Sequence, residues 1–411
     1  MTDLHLHKLL ICRSLLDDPV IGLLSASQNE PQNTSLPFEC AAMLLKKAEE
    51  LSLSGNLLKA YLVYLLTDRE NLAASTIEFS RGHIGMNLQQ IFLHDIKILR
   101  PFFQKPLSYF LPVDLLDDYQ PTKKHVLEPR QALEAAIGPD SSPEAIAEAF
   151  ISYYRQYGYG DLAACRAFCW SKEKSLQGIK HFDVITLQDI IGYEKQKKQL
   201  VDNTAAFLAD KPANNVLLVG ARGTGKSSAV KALANQYFSQ GLRLLQLTKQ
   251  QLIDLPLIMQ KLRCFTSKKF IVFLDDLSFE GFETEYKHLK STIEGGVESR
   301  PGNVLIYATS NRRHLIKETW RDREDGQDEL YKNDSINETI SLSDRFGLII
   351  NYRMPDQNEY LAIIDHYLRK DGIALDKETL RVLGHRWEIE HSGRTGRTAR
   401  QFVDYYLGQN K

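Results

Sequence analysis

The chain has 411 residues, 43% of them hydrophobic, with 51 lysines and arginines against 52 aspartates and glutamates. That length suffices for two or three domains with packed cores, and the balanced charge excludes a global field drawing the chain to nucleic acid or to an anionic membrane. The opening MTDLHLHKLLICRSLLDDPV lacks the basic head and apolar run of a secretory signal, and no apolar run reaches the length of a spanning helix, so a soluble, cytoplasmic protein is expected.

From the start to about residue 180 the pattern is helical, with apolar residues three and four apart in AAMLLKKAEELSL and NLLKAYLVYLL. Polar, proline- or glycine-containing stretches at SASQNEPQNTSLP, YQPTKK and GPDSSPE mark the loops. No fixed-period repeat is present, so a solenoid is not expected. The 5 cysteines have no regular spacing and fit a reducing compartment. Cys165 and Cys169, in LAACRAFCWSK, would share one helix face; without further Cys or His nearby to complete a ligand set, they read as small core residues rather than as a metal pair.

After residue 185 short apolar runs alternate with helical stretches: NVLLVG, LRLLQL, FIVFL, NVLIYAT and GLIINY. The alternation predicts a parallel five-stranded sheet with helices on both faces. Past Pro355 the stretches DQNEYLAIIDHYLRK, DKETLRVLGHRWEIE and GRTARQFVDYYL predict a small helical lid. The expected domains are therefore an all-α region over 1–180, an α/β core over 181–353 and a lid over 354–411.

Directly after the first strand comes GARGTGKSS, which matches the phosphate-binding pattern G-x-x-x-x-G-K-[ST] from Gly220 to Ser227. The loop Gly220, Ala221, Arg222, Gly223, Thr224 and Gly225 can fold tightly enough for its amides to point at phosphate oxygens, and Ser227 and Ser228 open a helix whose positive end adds to them. Lys226 would reach the β- and γ-phosphates of ATP, and the Ser227 hydroxyl would bind Mg²⁺. Asp275, at the end of FIVFLDD, would be the acid that serves the metal, with Asp276 beside it.

With these motifs in place the chain resembles an AAA+ ATPase from about Leu187 to its C-terminus. LQDIIGYEKQKKQL resembles the stretch that would put Ile191 and Gly192 on the adenine, and YATSN resembles a strand inserted between those carrying the phosphate loop and the acids. The resemblance implies that Asn311 lies beside the γ-phosphate as sensor 1. LSDRFG resembles the arginine-finger segment of branch-migration motors; Arg345 would then act on a neighbouring subunit's nucleotide, implying a homo-oligomer, with a hexamer one option. An arginine at a helix end paired with Asp344 or Asp356 is the alternative. TGRTARQFV resembles the sensor 2 helix, with Arg397 the better match and Arg400 the runner-up. Over the whole chain, YYRQYGYG, AFCW and SNRRHL included, the sequence is similar to a bacterial family of AAA+ proteins known only as a domain of unknown function with an ATPase core.

The resemblance implies a Mg²⁺-dependent ATPase, and one residue departs from its pattern. Asp276 stands where that pattern has a glutamate to polarise the attacking water. Being one methylene shorter, it predicts slow turnover, unless Glu280 takes over. A slow engine suits a loader, remodeller or switch; the alternatives are a protein-assembly or chaperone-like ATPase, or a nucleotide-gated scaffold with little hydrolysis. Arg312, Arg313 and His314 fit a nucleic-acid client, and equally a solvated loop or an intersubunit contact to nucleotide, while the neutral charge and the lack of a DNA-binding module count against nucleic acid. TKQQLIDLPLIMQKL holds no aromatic residue, which disfavours peptide threading and leaves protein docking through residues 1–180. The polar stretch HLIKETWRDREDGQDELYKNDSINET is expected to form a mobile loop at the subunit interface or pore.

Overall fold

A computed structural model describes residues 5–30, 32–122, 128–277, 289, 293, 300–311, 345–391 and 393–409. The chain divides into two compact units, Met1–Cys165 with Cys264–Lys268, and Arg166–Arg263 with Lys269–Lys411.

The first unit is built from helices α1 (Pro19–Asn29), α2 (Leu36–Leu51), α3 (Leu57–Asp68), α4 (Leu72–Phe79), α5 (Met86–Gln104), α6 (Glu128–Ala136), α7 (Pro143–Tyr157) and α8 (Asp161–Ala164). Side chains start four of them: Asp18, Asn56, Asn71 and Ser142 each accept a hydrogen bond from an amide of the first turn. The apolar run of α3 is buried nearly all round, as suits a central helix. Phe92 of α5 meets Phe150 of α7 edge-on, at 6.5 Å between ring centroids. The buried Asp95 carboxylate accepts the amides of Leu10, Ile11 and Cys12 at 2.7–3.1 Å, which ties the first segment of the chain to α5.

The second unit holds β1 (Ala167–Trp170), β2 (Leu176–Gly178), α9 (Glu194–Leu208), β3 (Val216–Gly220), α10 (Lys226–Gln236), β4 (Leu242–Leu247), most of α11 (Leu255–Cys264), β5 (Lys269–Leu274), β6 (Val304–Ser310), β7 (Leu348–Tyr352), α12 (Gln357–Lys370), α13 (Lys377–Glu390) and α14 (Gly396–Gln409). Its sheet runs β2-β1-β4-β5-β6-β3-β7, parallel throughout except for the β1–β2 pair. Every residue of β3 and β6 is buried, as continuous apolar runs in a parallel sheet require. Helices α12 and α14 share a small core of Tyr360, Ile364, Leu368, Phe402 and Val403.

The sheet corrects the expectation of five strands: among the described residues it has seven. The additions come from AFCW and LQG, within the stretch whose pattern predicts helices. Gly158, at φ 85°, ends α7, and Cys165 is already extended at ψ 135°, so the chain arrives at β1 ready to pair with β4, Phe168 opposite Leu245. Cys165 and Cys169 accordingly share no helix face, since Cys169 lies on β1. Among the described residues no helix is long and apolar enough to cross a membrane.

Gly220 sits where β3 passes β7, with φ 149°, and a Cβ there would lie 2.0 Å from the Tyr352 carbonyl oxygen. Gly220→Ala is therefore expected to push the two strands apart and to cost about 3 kcal/mol, the upper end of overpacking penalties. Urea unfolding of the second unit reads it; an unchanged midpoint would mean that β7 yields freely.

Candidate functional site

Parallel neighbours bring three chain ends to one edge of the sheet: β3 finishes at Gly220, β5 leads into Asp275, and β6 leads into Asn311. β6 lies between β3 and β5, the insertion expected of YATSN. Ligands of open α/β sheets bind in the crevice outside such carboxyl ends. Here a cavity of about 540 Å³ opens there, walled by Arg222 to Ser228, Asp275, Asp276, Thr309 and Asn311 together with Ile190, Ile191, Tyr193, Ile363 and Tyr367.

Lys226 starts α10, is 5% exposed and aims into the loop, donating to the carbonyls of Gly220 at 2.7 Å and Ala221 at 2.8 Å and to Asn311 Oδ1 at 3.1 Å. Burial lowers its ammonium to about 8, against the pull of Asp275 and Asp276. The Ser227 hydroxyl donates to Asp275 Oδ1 at 2.6 Å, and the Thr309 hydroxyl donates to the same oxygen at 2.7 Å. Asn311 donates through Nδ2 to Asp276 Oδ1, and Arg222 Nη2 stands 3.5 Å from Asp276 Oδ2.

Asp276 has φ 55°, in the left-handed region. Aspartate and asparagine enter that region more readily than longer residues, because a short polar side chain bonds locally. The backbone at this turn therefore suits an aspartate where the family resemblance would have a glutamate.

The segment before α9 is joined to α12. Lys370 Nζ donates to Asp189 Oδ1 at 2.6 Å and Tyr367 Oη to the Asp189 carbonyl at 3.1 Å. Burial would raise the Asp189 carboxyl, but hydrogen bonds from Lys370 and Thr186 outweigh it and hold the group at about 2. Near the phosphate loop, the Gly396 amide at the start of α14 donates to the Gly223 carbonyl at 2.9 Å.

The sequence candidates are distributed unevenly over this geometry. Lys226, Ser227, Ser228, Asp275, Asp276, Asn311, Ile191 and Arg397 all line the cavity, whereas Gly192, Gly220 and Ala221 do not. Arg400 lines it as well, paired with Asp404 at 3.0 Å and lying over the Tyr367 ring. Arg345, partly buried ahead of β7, is not among the lining residues. Asp356, its alternative partner, caps α12. Glu280, Arg312, Arg313, His314, Asp344 and the polar stretch after Arg313 lie outside the described residues. Sequence reading missed Thr309, Asp189 and Lys370; for Thr309 the available signal was its place two residues before Asn311, next to Ser310, at the end of an apolar run.

Around the loop stand the Ser227 and Thr309 hydroxyls, the carboxylates of Asp275 and Asp276, the Asn311 amide, Arg222 and the buried Lys226, and among the described residues no group of three His, Cys, Asp or Glu gathers to cage a metal. Such a set fits Mg²⁺ shared between protein oxygens and a phosphate, since this ion keeps few protein ligands.

Residues 163–410 match the family described as "Protein of unknown function (DUF815)". The chain belongs to the DUF815 family. The DUF815 match takes in β1 and β2 and all the cavity residues named above. No curated protein matches the chain. Among solved structures it is similar to the Thermotoga maritima RuvB Holliday junction branch migration motor, with 17% identity, 53% of this chain and 63% of that one covered, and a TM-score of 0.38. It is also similar to C. elegans PCH-2, with 17% identity over 55% of this chain and 65% of that one, at a TM-score of 0.38. This chain thus spans less than two thirds of either structure. The DUF815 site accordingly rests on its own strand order and side chains.

Proposed function

We propose that this chain is a Mg²⁺-dependent ATPase of the AAA+ type, slow in turnover and completed by a neighbouring subunit. The observation that carries the reading is the meeting of Lys226, Ser227, Asp275, Asp276 and Asn311 at the carboxyl edge of β3, β5 and β6, beside an apolar pocket at Ile190 and Ile191. The adenine would lie against these isoleucines and the phosphates along the Gly220 to Gly225 loop. Ser227 and Asp275 would hold the Mg²⁺, which supplies charge neutralisation on the phosphates. Lys226 balances phosphate charge, Asn311 orients the γ-phosphate, and Arg397 covers it from the lid. Asp276 takes a proton from water as the water oxygen bonds to the γ-phosphorus and the bridging oxygen leaves with ADP. Arg345 would add positive charge from a neighbouring subunit.

The short reach of Asp276, already engaged by Asn311 and Arg222, also supports a second reading, a nucleotide-gated switch or scaffold with little hydrolysis. Phosphate release from Mg-ATP at rising protein concentration separates the two, with Lys226→Ala as the blank and Arg345→Ala alongside. Turnover per subunit is expected to climb with concentration and to vanish in both variants. Asp276→Asn, which the left-handed turn accepts equally well, is expected to bind ATP and to lose about a hundredfold in turnover. ATP bound without turnover at any concentration would leave the switch; no binding would end both readings.

A further inference from the structure

The two acids share a support that the roles above leave unused. Thr309 lies on β6, is 1% exposed, and stands two residues before Asn311. Its hydroxyl donates to Asp275 Oδ1 at 2.7 Å and accepts the Asp276 amide at 2.8 Å, while its carbonyl accepts the Leu277 amide at 2.7 Å. A hydroxyl carries one proton, so giving it to the Asp275 carboxylate turns a lone pair to the amide, and the two contacts orient each other. Ser227 reaches the same Asp275 oxygen from the phosphate-loop side at 2.6 Å. Asp276, whose amide Thr309 holds, is the residue in the left-handed conformation.

We propose that Thr309 is the positioning residue of the acidic pair, setting the direction of the Asp275 carboxylate and the turn that aims Asp276. This rests on the Mg-ATP reading and extends it to a side chain whose hydroxyl is engaged by both acids. Groups that hold a metal-binding carboxylate matter through orientation, and their loss costs about 10–100-fold in metal affinity or activity. The position also demands a hydroxyl, because an apolar side chain there would leave the Asp276 amide without its acceptor and Asp275 short of a donor.

The proposal predicts an order of variants opposite to that of packing. If Thr309 only fills space, Thr309→Val, nearly the same shape, is tolerated and Thr309→Ser, which loses a methyl, is the worse. If the hydroxyl positions the acids, Thr309→Val is the damaged one and Thr309→Ser the rescue. The test uses the full chain, a fluorescent ATP analogue and a Mg²⁺ titration, with phosphate release measured in parallel. Thr309→Val is expected to raise the Mg²⁺ concentration at half effect about tenfold and to lower turnover by about tenfold or more, with Mg²⁺-free nucleotide affinity within about twofold of the native chain. Thr309→Ser is expected to stay within about threefold of the native chain in both Mg²⁺ response and turnover. A Thr309→Val chain with the native Mg²⁺ response overturns the proposal, as does Thr309→Ser as impaired as Thr309→Val. If the native chain binds Mg-ATP without turnover, the Mg²⁺ midpoint decides by the same criteria. A native chain that binds no nucleotide overturns the Mg-ATP reading and the role of Thr309 with it.

Discussion

Lys226→Ala is expected to weaken Mg-ATP binding about a thousandfold. A buried ammonium that gives two charge-assisted hydrogen bonds to phosphate contributes about 2 kcal/mol through each, and about 4 kcal/mol corresponds to that factor. Without ligand the ammonium gives its three protons to the carbonyls of Gly220 and Ala221 and to Asn311, so binding exchanges some of these bonds for bonds to phosphate. The same burial makes the interaction sensitive to pH. With the ammonium lowered to about 8, Lys226 is charged below that pH and neutral above it. Phosphate needs the charged form, so the affinity of the native chain should fall about tenfold between pH 7 and pH 9. The stability of the ligand-free chain should move the other way. Between about pH 8 and the ordinary lysine value the unfolded chain binds more protons at this position than the folded one, and Lys226 therefore adds stability as pH rises through that window. Equilibrium binding at a series of pH values checks the first claim. An affinity flat to pH 9 would mean that Lys226 stays charged.

Lys268→Met should destabilise the first unit by about 3–5 kcal/mol. Lys268 and Glu78 are both fully buried, with Nζ and Oε2 3.1 Å apart. The ammonium also reaches Ser267 Oγ at 2.7 Å and the Arg155 carbonyl at 3.2 Å, and Ser267 Oγ donates to Glu78 Oε1 at 2.8 Å. Methionine fills the same space but leaves the buried Glu78 carboxylate without the Lys268 ammonium, which is far costlier than removing the pair. Glu78→Leu combined with Lys268→Met should accordingly recover much of the loss, because apolar replacement of a buried ion pair is often close to neutral. Hydrogen exchange of the first unit's helices is the suitable measurement, since a chain of two units does not unfold in one step. A single variant as protected as the native chain would show that water reaches Glu78.

Lys268 also marks what a sequence can and cannot disclose. The residue adjoins a strand that was easy to find: FIVFL is a continuous apolar run, and such runs name parallel strands without help from the rest of the chain. The phosphate loop was equally plain, because glycine spacing, lysine and serine are local chemistry within nine residues of sequence. AFCW and LQG were not legible, at 4 and 3 residues in their strands, because nothing in segments that short distinguishes a strand until β4 presents an edge to pair with. Lys268 itself looked like one surface lysine among many, and only the arrival of Glu78, 190 positions earlier, makes it a core residue.

At the site the same division holds. The sequence by itself determined which atoms are available: the ammonium of Lys226, the hydroxyl of Ser227, the carboxylates of Asp275 and Asp276 and the amide of Asn311, each announced by its neighbours along the chain. The tertiary structure alone decided how they stand. It joined Lys370 to Asp189 across 181 positions, put both Arg397 and Arg400 on the cavity wall, and set Thr309 between two acids 33 and 34 positions away. Local spacing specifies what a short segment can do, because backbone geometry is periodic and short-ranged. Which segment meets which is set by the burial of whole strand and helix faces, and the left-handed turn at Asp276 has meaning only where the end of β6 holds its amide.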